Sequence, residues 1–100
     1  MEFAIVKAGH DKGQIYLIAE TNGEYAYLVN GGTKPFGKPK KKNRKHIQII
    51  TNIPKETALI MAEAIPKDQR LKQAIMSLNT HIYNQIPNKM RTKAGGLKNV

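Results

Sequence analysis

Gln14–Asn30, QIYLIAETNGEYAYLVN, is the stretch on which the fold turns. Asn22-Gly23 sits between two apolar runs, and Asn-Gly supplies the positive φ angles that a two-residue hairpin turn requires. The segment is therefore predicted to form antiparallel strands over Gln14–Glu20 and Tyr25–Asn30. Ile15, Tyr16, Leu17 and Ile18 do not alternate with polar residues. Such a strand is covered on both faces, here by a barrel interior on one side and the C-terminal segment on the other. Working outward, further short strands are expected at Phe3–Lys7, around Thr33–Phe36 and at His46–Thr51. Gly9 and Gly13 bracket a charged loop, His10-Asp11-Lys12, and Asn30-Gly31-Gly32 marks another turn. Five short strands in the first half of the chain suggest a small closed barrel.

A second layer follows Pro54. Pro54 and Pro66 each suit the first turn of a helix, which predicts helices at Lys55–Ala64 and Lys67–Asn79. Leu71, Ile75, Leu78, Ile82 and Ile86 recur at helical spacing and form one apolar stripe, with Asn79-Thr80 as a candidate interruption. Pro87 should end it. Beyond it lie Lys89, Arg91, Lys93, Lys98 and Gly95-Gly96 without an acid, which reads as a flexible basic tail. The expected class is α+β: a barrel over residues 1–53, a helical extension over 54–86 and a tail over 87–100. There are no internal repeats.

The chain has 100 residues and a formal charge of +10. A domain this small supports one thin core and hardly an enclosed reaction chamber, so an enzyme is not expected. The absence of Cys excludes a disulfide framework, a thiolate zinc site and a Cys nucleophile. The longest apolar runs, Ile15–Ala19 and Ala58–Ala62, are far shorter than the roughly 20 residues of a membrane span, and a cytoplasmic location is expected. The excess charge points to phosphate-bearing partners, nucleic acid before an anionic membrane. A membrane-surface binder needs lysines on an amphipathic helix with interfacial aromatics, whereas here there is no Trp and the basic run is not helical.

That run, KPFGKPKKKNRK from Lys34 to Lys45, holds seven basic residues and no acid. Like charges at this density repel one another unless counter-charges lie against them, which is what a nucleic-acid backbone provides. The other readings of the run are a solvated loop and, from PKKKNRK, a nuclear-import signal. Pro35 and Pro39 should keep the run extended, with its lysines outward. Gly32–Lys38 has the spacing of a phosphate-cradling loop as far as its lysine, but Pro39 stands where a hydroxyl must hold magnesium. Nucleotide hydrolysis is not expected.

His10, His46 and His81 fall in a loop, a strand and a helix with no ligand spacing, so neither a metal nor any other cofactor is implied. Asp11, Glu20 and Glu24 read as partners of nearby lysines rather than as an acid–base pair. Among the aromatics, Tyr16 and Tyr27 are assigned to the barrel core. Tyr25 and Phe36 remain as candidates for stacking on an unpaired base, and Phe36, between Pro35 and Gly37, is the best of them.

The segment AIVKAGHDKGQIYLIAE, two strands around a loop ending in Asp11-Lys12-Gly13, resembles the KOW motif of ribosomal and transcription-associated proteins. With the Tyr-rich third strand, Asn30-Gly31-Gly32 and KPKKKNRKHIQ, residues 3–52 resemble bacterial KOW-domain RNA-binding proteins similar to the ribosomal fourteen-e proteins. The resemblance implies an SH3-like barrel whose loops touch folded RNA without catalysis. Gly13 would let the chain turn sharply into the second strand while His10 and Lys12 project toward phosphate.

The expected function is RNA binding, with ribosomal RNA or the ribosome as partner. The site would comprise His10, Lys12, Gly13, Lys34, Phe36, Lys38, Lys40, Lys41, Lys42, Arg44 and Lys45. The alternative is a protein-interaction adapter in translation or transcription, presenting its barrel strands and docking a partner on the helical stripe. Exposure of that stripe distinguishes the two.

Overall fold

The computed structural model describes residues 2–85. Strands β1 (Glu2–Val6), β2 (Ile15–Asn22), β3 (Tyr25–Val29), β4 (Lys40–Asn43) and β5 (Ile47–Ile50) form one antiparallel sheet. Helices α1 (Lys55–Met61) and α2 (Lys67–Asn84) follow. The strand order is β4-β3-β2-β1-β5, so the fold is α+β with each consecutive strand beside its predecessor except β5, which returns to β1. The sheet is not a closed barrel: β4 and β5 are its two edges, joined by a 3-10 turn at Arg44–His46 and not hydrogen-bonded to each other.

The β2–β3 hairpin is present, but its turn is displaced by one residue. Asn22 pairs with Tyr25, leaving Gly23-Glu24 as the loop. Gly23 alone has positive φ (+63°), the pattern of a type II′ turn with Gly at the first central position. Ala19 is an extra residue between the Ile18–Leu28 and Glu20–Tyr27 pairs. Such a bulge bends a strand and increases its twist.

The first half of β2, Ile15 to Ile18, is buried on both sides, as its apolar run requires. Ile15 and Leu17 join Phe3, Val29 and, from α2, Leu71, Ala74, Ile75 and Leu78 in one core. Tyr16 points the other way, to Ala4, Val6, Ala26, Leu28 and Ile47, with Ile18 packed against them. No helical residue belongs to this second core, so the sheet must curl over it. The sheet and the helical extension thus share the first core. The stripe expected as a possible docking face is core: Leu71 and Leu78 are fully buried and Ile82 packs beside them. Ile86 and the tail lie outside the described residues.

Three element boundaries differ from expectation. Thr33–Phe36 is not a strand: the Asn30 Oδ1 accepts from the N–H groups of Gly32 and Lys34, both at 2.9 Å, and holds this segment as a turn. The fourth strand is instead Lys40–Asn43, inside the basic run. α2 continues through Asn79-Thr80, where the Thr80 hydroxyl donates to the Met76 carbonyl and so stays compatible with helix. α1 ends at Met61, and the Arg70 guanidinium donates to the Glu63 carbonyl just beyond it. Among the described residues no helix is long and apolar enough to cross a membrane.

Candidate nucleic-acid interface

β4 carries no large apolar side chain, and its place at the sheet edge is secured by charge. Lys40 and Lys42 pair across from Leu28 and Ala26, which turns them to the face of the second core. There both ammonium groups meet Asp11, at 2.7 and 3.2 Å. The Tyr16 hydroxyl donates to the same carboxylate at 3.1 Å. Asp11 therefore ties the β1–β2 loop to β4 across the curl of the sheet. The same tie brings His10, Lys12 and Gly13 beside the basic run, two segments about thirty residues apart in sequence.

Asp11 is a shielded carboxylate, and its burial acts to raise its pKa. The hydrogen bonds from Lys40, Lys42 and Tyr16 outweigh that effect and lower it from 3.8 to about 2. Burial, together with the bond to Asp11 and its negative charge, pushes the Tyr16 phenol up to about 12. Because the folded carboxyl is more acidic than the unfolded one, its stabilisation is complete above pH 3.8 and is lost as pH falls toward 2. Asp11→Asn should cost about 2 kcal/mol at neutral pH, since it removes a charge-assisted hub. It should also flatten the melting temperature across that acid window and bring the Tyr16 phenol back toward 10 in an ultraviolet titration. A variant that kept the wild-type acid profile would show that the hub does not hold the loop.

These contacts change the expected site. Lys40 and Lys42 are engaged by the protein's own carboxylate, so they are not the outward pair the sequence suggested. One carboxylate against two lysines still leaves a net positive charge. Lys34, Lys38, Lys41, Arg44 and Lys45 have no carboxylate partner among the described residues. Lys41, opposite Tyr27, points to the other face, where its Nζ lies 4.3 Å from the centroid of the Tyr25 ring. Tyr25 and Tyr27 alternate onto that same face, beyond the part of the sheet that α2 covers, and Tyr25 is exposed. At the far end of β4 the Arg44 guanidinium donates to the Gly23 carbonyl, which sets the cation beside the hairpin tip. A lysine-rich edge also blocks pairing with a second chain.

Phe36 is not a free stacking ring. It packs against the first core, its N–H donates to Asp68 Oδ1 at 2.8 Å, and Lys67 lies 4.8 Å from its ring centroid. Tyr25 is the exposed ring beside a cation. Docking of the 30–39 loop onto the first turns of α2 also brings Lys67 and Lys72 to the basic surface. No local signal marks those two, because only packing between distant segments places them there. Gly13 has φ +91°, the conformation expected of the residue that turns into β2. His10 and Lys12 are exposed on the loop that it ends. His46 closes the 3-10 turn rather than lying in a strand, and among the described residues no three His, Cys, Asp or Glu side chains are grouped to hold a metal. No protein-family model matches the chain, and no curated protein matches it.

Proposed function

We propose that this protein is a non-enzymatic RNA-binding module that contacts structured RNA, ribosomal RNA first among candidates, through phosphate and shape rather than base sequence. The observation that carries the reading is the strip of five cations, Lys34, Lys38, Lys41, Arg44 and Lys45, without carboxylate partners among the described residues. Asp11 holds the loop that carries His10 and Lys12 against Lys40 and Lys42 of β4, so cations stand on two loops and on both faces of the strand edge, as contact with a folded backbone demands. Tyr25 adds a ring face for an unpaired base. A KOW-like, SH3-like reading of the sheet is supported by three features: β5 returning to β1, the 3-10 turn between β4 and β5, and the positive φ of Gly13. Against the adapter reading, the described part of the helical stripe, Leu71 to Ile82, packs into the first core rather than facing a partner.

The test is a salt titration. With about five phosphates neutralised at a slope near −0.7 each, affinity for a structured ribosomal RNA fragment should fall roughly a hundredfold between about 50 and 200 mM salt. Fluorescence anisotropy measures it directly. A flat salt response, or no uptake of RNA at the lower salt, would overturn the assignment.

A further inference from the structure

Beside the strip lies a groove of about 350 Å³, walled by Gly13, Gln14 and Ile15 on one side and by Asn30, Gly32 and Thr33 on the other. Its floor is one face of α2, where Lys72, Ile75, Met76 and Asn79 recur at helical spacing. Its volume is at the low end for a small-ligand site. Three features describe what it would take. Ile75 is buried and reaches the groove only from the first core, while Met76 is 65% exposed, which offers an apolar contact to a planar ring. The Gln14 and Asn79 amides have no side-chain hydrogen bond among the described residues, and each offers both a donor and an acceptor. Lys72 supplies one ammonium at the rim, and the two loops that form the walls carry Lys12 and Lys34.

We infer that this groove receives a single unpaired nucleotide, its base laid on Ile75 and Met76, its edge read by Gln14 and Asn79, and its phosphate set against Lys72. The inference rests on the RNA-binding reading and adds to it one point of selectivity, for a bulged or looped-out nucleotide over a continuous duplex. Amides suit this task because paired donors and acceptors match the edge of an unstacked base, whereas an apolar ligand would leave them unsatisfied.

The probes are an RNA hairpin with a single unpaired nucleotide in its stem and the same hairpin fully paired. The wild type should bind the bulged RNA about tenfold more tightly at fixed salt. A variant combining Gln14→Ala and Asn79→Ala should lose that preference while keeping its affinity for the paired hairpin, because both residues are exposed and neither belongs to the cation strip. Nuclear magnetic resonance gives an independent reading: the Gly13 backbone and Asn79 side-chain amides should shift with the bulged RNA and not with the paired one. Equal affinity of the wild type for the two hairpins, or a preference that survives the double substitution, overturns the groove assignment alone. Failure to bind either hairpin overturns the RNA-binding reading with it. The same Asn79 shift on adding polyglutamate would assign the groove to an acidic peptide and overturn the nucleotide.

Discussion

Affinity for structured RNA should fall about three-thousandfold at roughly 0.1 M salt when Lys34, Lys38, Lys41, Arg44 and Lys45 are all changed to Ala. A slope near −0.7 per phosphate makes each contact worth about a factor of five at that salt relative to 1 M, and five contacts multiply. The salt slope should fall by about 3.5, leaving only the weaker dependence that Lys12, Lys67 and Lys72 sustain. The fold should survive, because none of the five has a carboxylate partner among the described residues and Arg44 loses only an exposed hydrogen bond to the Gly23 carbonyl. Lys41 loses only an exposed contact with the Tyr25 ring, worth about 0.5–1 kcal/mol, while relief of like-charge repulsion acts in the opposite direction. Lys40 and Lys42 are left in place because their removal would also strip Asp11 of its counter-charges. Anisotropy with a ribosomal RNA hairpin, alongside a thermal melt of the variant, separates lost binding from lost structure. Undiminished affinity in a folded variant would move the interface away from this strip.

Gly31→Ala should be the most destabilising small change in the molecule. Gly31 has φ +81°, where a side chain costs about 1–2 kcal/mol, and an added Cβ would fall on the Asp68 carbonyl oxygen of α2. The obstacle is helix backbone, which cannot rotate aside as a side chain tip would. The 30–39 loop and the first turn of α2 must then part, adding about 1–3 kcal/mol for overpacking. A total of about 3–4 kcal/mol is a large share of the stability of so small a domain. Gly23→Ala is the natural control, since its φ is also positive but nothing lies within 4 Å of the added carbon. It should cost about 1 kcal/mol, through backbone conformation alone. Urea denaturation midpoints compare the two. Equal losses would show that the loop is not docked on α2. The Gly31 variant should also lose the bulge preference of the adjacent groove before it loses phosphate binding, as Asn30, Gly32 and Thr33 form one of its walls.

The Lys40–Asn43 strand shows why part of this site was not legible in the chain. Strand signals rest on apolar residues that face a core, and an edge strand held by two lysines on one aspartate has none. The Asn-Gly pair marks the hairpin, yet its loop falls on Gly23-Glu24, because Asn22 extends the ladder with Tyr25. A shift of one residue in such a ladder exchanges the faces of every side chain beyond it. Facing therefore depends on pairing between strands, which the local dipeptide does not specify.

Much of the molecule was nevertheless written locally. Four of the five strands, both helices, the two-sided burial of the first half of β2, the glycine that turns into β2 and the concentration of charge from Lys34 to Lys45 all follow from nearest-neighbour chemistry: apolar spacing, backbone freedom and the absence of acids. Which lysines are neutralised, which ring is free and what lines the groove do not. Asp11 meets Lys40 and Lys42 about thirty residues away, Phe36 is pinned by Asp68 across a similar distance, and Lys72 reaches the loops from a helix after the sheet. Such contacts depend on how the segments pack in three dimensions, and a charge or a ring carries no mark along the chain of the partner it will meet.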